Sequence, residues 1–320
     1  MVKIDLITGF LGSGKTTFIR QYARYLTGSG KNIGILENDF GAVNVDAMLL
    51  QDILGDNCDL EMVAGGCDAD CHRRRFKTKL IAMGMCGYDR VLVEPSGIFD
   101  MDEFFDALHD DPLDRFYEIG NVITMIDAGL ETKLSDASRY ILASQAAQAG
   151  TIIYSHMDQV TDAQLHKTQE YVLESLKQLQ CKNLSNLLSK QIVIQKDLSS
   201  LDENDFNLIM SSGYNNADYT KLWFDDQKTY DSLYFMNMDF TEDFLNQSCH
   251  KILNDTACGN VFRIKGFQKL PDGNWLSINV THEKTEILLV PQGQAVLIII
   301  GENLNQEAIE KYWGKSKGPF

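Results

Sequence analysis

A glycine-rich segment near the N-terminus, GFLGSGKTT at residues 9–17, is compatible with very few folds. It follows the apolar run KIDLIT and leads into a helix-like stretch, the context in which the pattern G-x-x-x-x-G-K-S/T forms a phosphate-binding loop. Gly9 and Gly14 let backbone N–H groups curl around a β-phosphate, and Gly12 supplies further conformational freedom. The segment therefore predicts a nucleoside triphosphate site after the first strand of an α/β sheet.

The side chains of this segment suit the remaining parts of a triphosphate. Lys15 would place a positive charge at the β- and γ-phosphate oxygens, and the Thr16 hydroxyl is placed to ligate Mg²⁺. We expect Ser13 and Thr17 to complete the nucleotide contacts.

An acidic residue is expected at the end of a strand beside the first one. The run RVLVEPSG places Glu94 directly after an apolar stretch, and Gly97 would bring a backbone N–H group to the γ-phosphate. Glu94 would hold Mg²⁺ through a water molecule or help to orient the attacking water. The alternative is that Glu94 only caps the helix-like segment MDEFFDAL that follows.

Apolar strand-like runs alternate with helix-like segments over the first two hundred residues. The runs are KIDLIT, NIGILEN, DLEMVA, RVLVEPS, NVITMIDA, TIIYSHMD and QIVIQK. This alternation predicts an α/β fold, a P-loop NTPase domain with a mostly parallel sheet flanked by helices. Thr161 and Gln164 have the spacing of a capping box at the start of one helix.

The chain changes character after residue 210. Residues 211–231 are polar and aperiodic, which predicts a linker between a P-loop domain at 1–210 and a second domain at 232–320. In the second domain, NVFRIKGF and NWLSINV flank the turn LPDG as the two strands of a hairpin would. We predict a small α+β C-terminal domain.

The overall charge and the cysteine usage exclude several classes of partner. The formal net charge is −16, which argues against nucleic acid and against an anionic membrane surface. The short basic cluster at residues 73–79 is expected to be a solvated helix face.

No run approaches the length of a membrane span, and the N-terminus does not resemble a signal peptide. Seven irregularly spaced cysteines do not form a disulfide framework, so we expect a cytoplasmic protein with reduced thiols.

The order of these motifs resembles the CobW-like family of P-loop GTPases, which includes metal chaperones and metal-centre activators. The phosphate-binding loop is followed by LENDFG, a cysteine-bearing loop and VLVEPSG, and then by VITMIDA and SQAAQAGTIIYSHMDQV. The segment VFRIKGFQKLPDGNWLSINV is similar to the family's small C-terminal domain. The resemblance covers nearly the whole chain and implies GTP hydrolysis with Mg²⁺, metal binding and a client protein.

The cysteine-bearing loop GGCDADCHRRR departs from the family pattern. Members usually carry C-x-C-C, whereas Cys67 and Cys71 here are separated by three residues and His72 stands in for the third thiolate. The resemblance implies that these three residues and Glu37 hold a transition metal such as Zn²⁺ or Co²⁺. It also implies that Asp39 faces the Mg²⁺ and phosphate side. A redox or partner-contact loop and a structural loop with inert thiols remain alternatives.

The base-reading motif also departs from the pattern N-K-x-D of related GTPases. The chain has Ser155, His156, Met157 and Asp158 at these positions. Asp158 retains the carboxylate that accepts from guanine N1 and N2, and His156 would stack on the base. Ser155 is a shorter substitute for the asparagine. Asp158 alone still disfavours adenine, so we predict GTP, with ATP left open.

The predicted catalytic residues are Lys15, Asp39 and Glu94. The favoured function is GTP binding and slow hydrolysis coupled to delivery of a metal to, or activation of, a client metalloenzyme or cofactor enzyme. The alternative is a nucleotide-dependent interaction switch or remodelling factor without metal transfer. A P-loop small-molecule kinase is disfavoured, because the sequence shows no recognisable acceptor site or arginine-bearing lid. The C-terminal unit would contact the client or form a homo-oligomer.

Overall fold

The computed structural model describes most of the chain. The described residues are 1–10, 12–39, 50–64, 69–95, 101–130, 132, 134–182, 184–220, 222, 231–282 and 284–315. They form two compact units, one that extends to Leu222 and one that begins at Asp231. Among these residues, no helix has the length and apolar character that crossing a membrane requires.

The first unit is built on a seven-stranded sheet in which all paired strands are parallel. The strand order is β3-β2-β4-β1-β5-β6-β7, so the first strand lies at the centre. The strands are β1 (Val2–Gly9), β2 (Ile33–Asp39), β3 (Cys58–Ala64), β4 (Arg90–Glu94), β5 (Tyr117–Asp127), β6 (Thr151–Ser155) and β7 (Ile192–Ile194). The predicted parallel sheet is confirmed, and it brings the carboxyl ends of all seven strands to one edge.

Helices lie between most of these strands along the chain, as crossovers between parallel strands usually require. They are α1 (Lys15–Gly28), α2 (Ala69–Gly84), α3 (Met101–His109), α4 (Leu113–Phe116), α5 (Asp136–Gln148), α6 (Asp162–Gln178), α7 (Leu184–Lys190) and α8 (Glu203–Ser211). The predicted capping box of α6 is present, because Thr161 and Gln164 exchange side-chain and backbone hydrogen bonds.

Two apolar clusters cover the sheet. One joins Phe18 and Tyr22 of α1 to Phe206 of α8, and the other joins Phe76 of α2 to Phe104 of α3. Burial of each such side chain contributes about 1.5–3 kcal/mol. The sheet strands themselves are apolar on both faces; β4 is buried along its whole length. This is the pattern expected of a sheet covered on both sides.

A buried polar network crosses the sheet below the site edge. The Asp5 carboxylate of β1 accepts hydrogen bonds from the Arg90 guanidinium, from Tyr22 Oη at 2.9 Å, and from Asn121 N at 2.8 Å. Asp5 is fully buried and Arg90 is 4% exposed, so this ion pair is shielded from solvent. Burial, reinforced by the Asp5 charge, raises the pKa of Tyr22 well above its usual value. The network ties α1, β4 and β5 to β1.

The polar segment after α8 packs on the first unit. Val122 N donates to Gly213 O at 3.0 Å, and Asn215 Nδ2 donates to Ala149 O at 2.9 Å. Asn215 and Ala217 are buried. We expected the linker to begin at residue 211, but the first unit continues beyond that point. Within the expected linker, residue 221 and residues 223–230 lie outside the described part.

The second unit has a five-stranded antiparallel sheet in the order β11-β10-β9-β12-β8. Its elements are β8 (Asp231–Met236), α9 (Glu242–Asn254), β9 (Asn260–Lys269), β10 (Trp275–Thr281), β11 (Thr285–Val290), β12 (Val296–Glu302) and α10 (Gln306–Trp313). The two helices pack with the sheet in a separate core that contains Phe235, Cys249 and Trp313. The predicted hairpin is present as β9 and β10, and Gly273 adopts φ 91° in its turn. The predicted α+β class is confirmed.

Candidate nucleotide-binding site

The loop between β1 and α1 has backbone geometry that only glycine accommodates. Gly9, Gly12 and Gly14 adopt φ values of 138°, 85° and 85°. A Cβ atom at Gly9 would lie 2.2 Å from the Met125 carbonyl oxygen, so no larger residue fits there. The loop therefore keeps a tight curl with its N–H groups available to an anion, ahead of the positive end of the α1 dipole.

Lys15 fills the centre of this curl. Its Nζ donates to Gly9 O at 3.0 Å and to Phe10 O at 3.1 Å, and it lies 4.0 Å from Glu94 Oε1. The side chain is 6% exposed, so its charge is held inside the loop rather than in solvent. A phosphate that entered the loop would meet this ammonium group directly.

Thr16 and Glu94 meet beside the lysine. Thr16 Oγ1 lies 3.2 and 3.1 Å from the two carboxylate oxygens of Glu94, to which it donates. The buried Ser13 hydroxyl has no hydrogen-bond partner among the described residues. A hydroxyl beside a carboxylate is an oxygen donor set of the kind that Mg²⁺ prefers, and the Ser13 hydroxyl offers a group for a ligand oxygen. The residues present thus fit Mg²⁺ with a bound nucleotide. Thr17 is exposed on the first turn of α1.

Glu37 of β2 lies next to Glu94 of β4. Their Cα atoms are register partners on adjacent parallel strands, so their side chains leave the same face of the sheet. Glu37 is 3% and Glu94 8% exposed. Two buried carboxylates in one place are costly unless positive charge or protons compensate them, which makes this position suited to cations.

The cysteine-bearing loop is described only in part. Cys71 is half-buried in the first turn of α2, while Cys67 and the side chain of His72 lie outside the described part. Gly97 and the side chain of Asp39 lie outside it as well. No group of three or more possible metal-ligating side chains occurs among the residues that are described. In the basic cluster at residues 73–79, the three arginines are exposed, whereas Lys77 and Lys79 are half-buried and pair with Asp110 and Glu61.

The base-reading motif lies against the phosphate-binding loop. A methyl group at Gly14 would lie 3.7 Å from Ser155 Cβ at the end of β6 and 3.3 Å from Leu198 Cδ1 beyond β7. His156 adopts the left-handed conformation with φ 54°, and its Nδ1 lies 2.9 Å from Asp127 Oδ2. Asp158 lies in the short helical turn Met157–Gln159 that follows. The ends of β6 and β7 are thus placed to receive a base whose phosphates occupy the loop.

Sequence reasoning missed two acidic residues and one leucine at this end. Asp127 ends β5, and Asp197 and Leu198 follow β7. Hydrogen bonds from Ser199 lower the pKa of Asp197, with a further contribution from Asp158 and the nearby His156. The only available signal was that VITMIDA and VIQKDL each place an aspartate after an apolar run, as VLVEPS does for Glu94.

Comparison with known proteins is in agreement with this geometry. Residues 3–183 match a family model described as the CobW/HypB/UreG nucleotide-binding domain. The chain belongs to the CobW/HypB/UreG family. The matched residues of this CobW/HypB/UreG chain include the phosphate-binding loop, Glu94 and the base-reading motif, whereas Asp197 lies beyond them.

Individual relatives of this CobW/HypB/UreG chain include zinc chaperones. The zinc chaperone YeiR of Escherichia coli is 30% identical over 162 residues, which cover 50% of this chain and 48% of the relative. The zinc chaperone YjiA of the same organism is 27% identical over 176 residues, which cover 52% and 53%. The chain thus spans about half the length of these relatives.

The chain was also compared with solved structures, among them the following two. The crystal structure of Zn(II)-bound YjiA GTPase from E. coli is 19% identical with a TM-score of 0.37, and the comparison covers 99% of both chains. That of HypB from Helicobacter pylori in complex with nickel is 15% identical with a TM-score of 0.38, and it covers 64% of this chain and 82% of that one.

Proposed function

We propose that this chain binds GTP with Mg²⁺, hydrolyses it slowly, and uses the state of the nucleotide to control a transition metal, Zn²⁺ or Co²⁺. The metal would be delivered to a client metalloenzyme or cofactor enzyme, or used to activate it. The observation that carries the proposal is the position of Glu94 between the phosphate-binding loop and Glu37. Thr16 bonds Glu94, and Glu94 is the register partner of Glu37. The zinc chaperones among the relatives support the metal part of the proposal.

The residues of the loop have separate tasks in this reaction. Lys15 would exchange its contacts with the Gly9 and Phe10 carbonyls for the β- and γ-phosphate oxygens. Thr16 and Glu94, with Asp39, would hold Mg²⁺, which neutralises the phosphate charge when bound. Gly97 would offer its N–H group to the γ-phosphate. The sequence offers no recognisable arginine finger in cis, so intrinsic hydrolysis is expected to be slow.

The transition metal would bind on the other side of Glu94. The proposed ligands are Glu37, Cys67, Cys71 and His72, since carboxylate, thiolate and imidazole are ligands for Zn²⁺ and Co²⁺. Cys71 lies in the first turn of α2, where the helix dipole stabilises negative charge. Loss of the γ-phosphate would change the contacts of Glu94, and a neighbouring carboxylate would respond to the change in charge.

Guanine is the proposed base because Asp158 can accept from its N1 and N2 groups. Turnover of GTP and ATP by the same preparation tests this part of the proposal. We expect faster turnover of GTP, and equal rates would show that the altered motif no longer selects the base.

The central prediction is that nucleotide state changes metal affinity. Zn²⁺ or Co²⁺ is titrated into the full chain with a non-hydrolysable GTP analogue or with GDP. We expect affinities that differ by about tenfold, within the usual range of coupling between two sites. Cys67→Ala/Cys71→Ala should remove most of the binding, and Lys15→Ala should remove the nucleotide dependence.

Cys86→Ala serves as the matched control, because Cys86 is exposed in the same unit and lies outside the loop. It should leave both affinities unchanged. Equal metal affinity in the wild type and in Cys67→Ala/Cys71→Ala would contradict the metal proposal. A chain that still bound GTP would then act as an interaction switch. The acidic charge of the chain favours a protein client in the cytoplasm over nucleic acid or a membrane surface.

A further inference from the structure

The altered base-reading motif has a partner on a neighbouring strand. His156 carries the side chain that replaces the usual lysine, and its Nδ1 lies 2.9 Å from Asp127 Oδ2. Asp127 is fixed in place by the sheet, since it is the register partner of Ser155. Its other oxygen, Oδ1, accepts from Gly129 N at 2.8 Å, so the carboxylate is oriented from both sides.

The backbone of His156 is in an unfavourable conformation. Its φ of 54° and ψ of 35° are left-handed, a conformation that is unfavourable for a residue other than glycine. Such a conformation persists only where surrounding contacts determine it, and such positions concentrate at functional sites. The bond to Asp127 is one contact that turns the ring toward the end of β5.

The surroundings of the ring are acidic. Asp127 lies beside it at the end of β5, and Asp197, in the loop after β7, is near enough for His156 to influence its carboxylate. The ring is 30% exposed and the Asp127 side chain 38% exposed, so a ligand can reach the pair. An imidazole ring held with Nδ1–H toward a carboxylate presents a flat face on which a purine can stack.

We propose that Asp127 is a positioning residue for the nucleobase: it holds the His156 ring in the orientation in which the ring packs against the purine. His156 makes the contact, and Asp127 acts through it. This inference rests on the proposed nucleotide function and goes beyond it, because it assigns a task to a residue outside the base-reading motif.

The test is a double-mutant cycle on the full chain, with GDP as the ligand for the whole site and inorganic pyrophosphate as the ligand for the phosphate-binding loop alone. Asp127→Ala and His156→Ala should each weaken GDP binding by about tenfold, the usual cost of losing one stacking contact. In the His156→Ala background, Asp127→Ala should cost less than about twofold, because a residue that acts through another loses its effect with it. Pyrophosphate affinity should be unchanged in all variants.

Asp56→Ala is the matched control, since Asp56 is an exposed aspartate in a turn before β3. It should leave both affinities unchanged. Three results would overturn the inference: unchanged GDP affinity in Asp127→Ala, an equal loss of pyrophosphate affinity, or additive losses in the double variant. A wild-type chain that bound neither ligand would instead overturn the proposed nucleotide function.

Discussion

At the scale of single residues, the candidate site contains two kinds of residue. The positions of some follow from the local sequence, and the positions of others follow from the order of strands in the sheet. Gly9, Gly14, Lys15 and Thr16 belong to one continuous segment, so their relative positions follow from the strand, loop and helix that the segment forms. Glu94 comes from a distant part of the chain, yet both of its oxygens lie within 3.2 Å of Thr16 Oγ1. This contact places Glu94 beside the loop, where the proposed function assigns it to Mg²⁺.

Glu94→Gln should separate nucleotide binding from hydrolysis. The amide keeps the shape of the side chain and removes its charge, so GDP measured without Mg²⁺ should bind with nearly unchanged affinity. Steady-state GTP hydrolysis with Mg²⁺ should fall by roughly a hundredfold, as for other single electrostatic groups in active sites.

Glu170→Gln is the matched control for this change. Glu170 is exposed on α6, and both activities should be retained. Unchanged hydrolysis in Glu94→Gln would instead support the alternative in which Glu94 has only a structural part.

Sequence reasoning assigned the loop residues and Glu94 because each follows an apolar run at a fixed spacing. It did not assign Asp127, because the task of this residue depends on β5 and β6 being neighbours in register. No pattern within one segment shows which strand lies beside another. Asp197 was not assigned for a similar reason. The strand before it, β7, has only the three residues Ile192–Ile194, and the loop after this strand comes near Gly14 only in the folded chain.

At the scale of elements, the order of strands and helices was predictable and the limits of the first unit were not. Apolar runs and turn signals predicted the parallel sheet, the capping box of α6 and the β9–β10 hairpin. The segment after α8 has the composition of a linker, yet its polar groups satisfy the buried backbone of Val122 and Ala149. The polar composition of a segment does not show whether its polar groups form hydrogen bonds with water, as in a linker, or with the backbone of a folded unit.

The buried ion pair between Asp5 of β1 and Arg90 of β4 should make the stability of the first unit sensitive to the loss of one partner. Arg90→Met would leave the fully buried Asp5 without its cation, and we expect a loss of about 3–5 kcal/mol in the free energy of unfolding. Urea denaturation followed by far-ultraviolet circular dichroism measures this change.

Two further variants complete that experiment. Lys77→Met breaks an exposed pair with Asp110 and should cost less than about 1 kcal/mol. Asp5→Leu/Arg90→Met removes both charges and should recover part of the loss, because no unpaired charge remains. Similar losses for Arg90→Met and Lys77→Met would show that the burial of the Asp5 pair has little energetic effect.

At the scale of the whole molecule, the two units have separate cores. The clusters on the parallel sheet contain residues of the first unit, and the cluster around Trp313 contains residues of the second. Both tryptophans in the described part of the chain, Trp275 and Trp313, belong to the second unit. In a Trp223→Phe variant, whose remaining tryptophans are these two, fluorescence therefore follows the unfolding of the unit that does not contain the nucleotide site.

GDP should stabilise one unit selectively. With GDP at about 100 times its Kd, we expect the transition of the first unit to gain about 2.7 kcal/mol, since a ligand stabilises the state that binds it. Circular dichroism should report this shift, while the transition seen by tryptophan fluorescence of the Trp223→Phe variant should keep its midpoint. Lys15→Ala should abolish the shift. A fluorescence midpoint that moved together with the circular dichroism would show that the two units unfold as one.

The order of strands places the earlier and the later parts of the first unit's sequence on opposite sides of the central strand. The central strand β1 has β2, β3 and β4 on one side and β5, β6 and β7 on the other. Every candidate ligand of the transition metal is encoded before codon 95, and every residue that we place near the purine is encoded after codon 121. In the proposed function, the choice of base and the choice of metal would therefore depend on opposite halves of the sheet, and a substitution in one half would leave the residues of the other half in place.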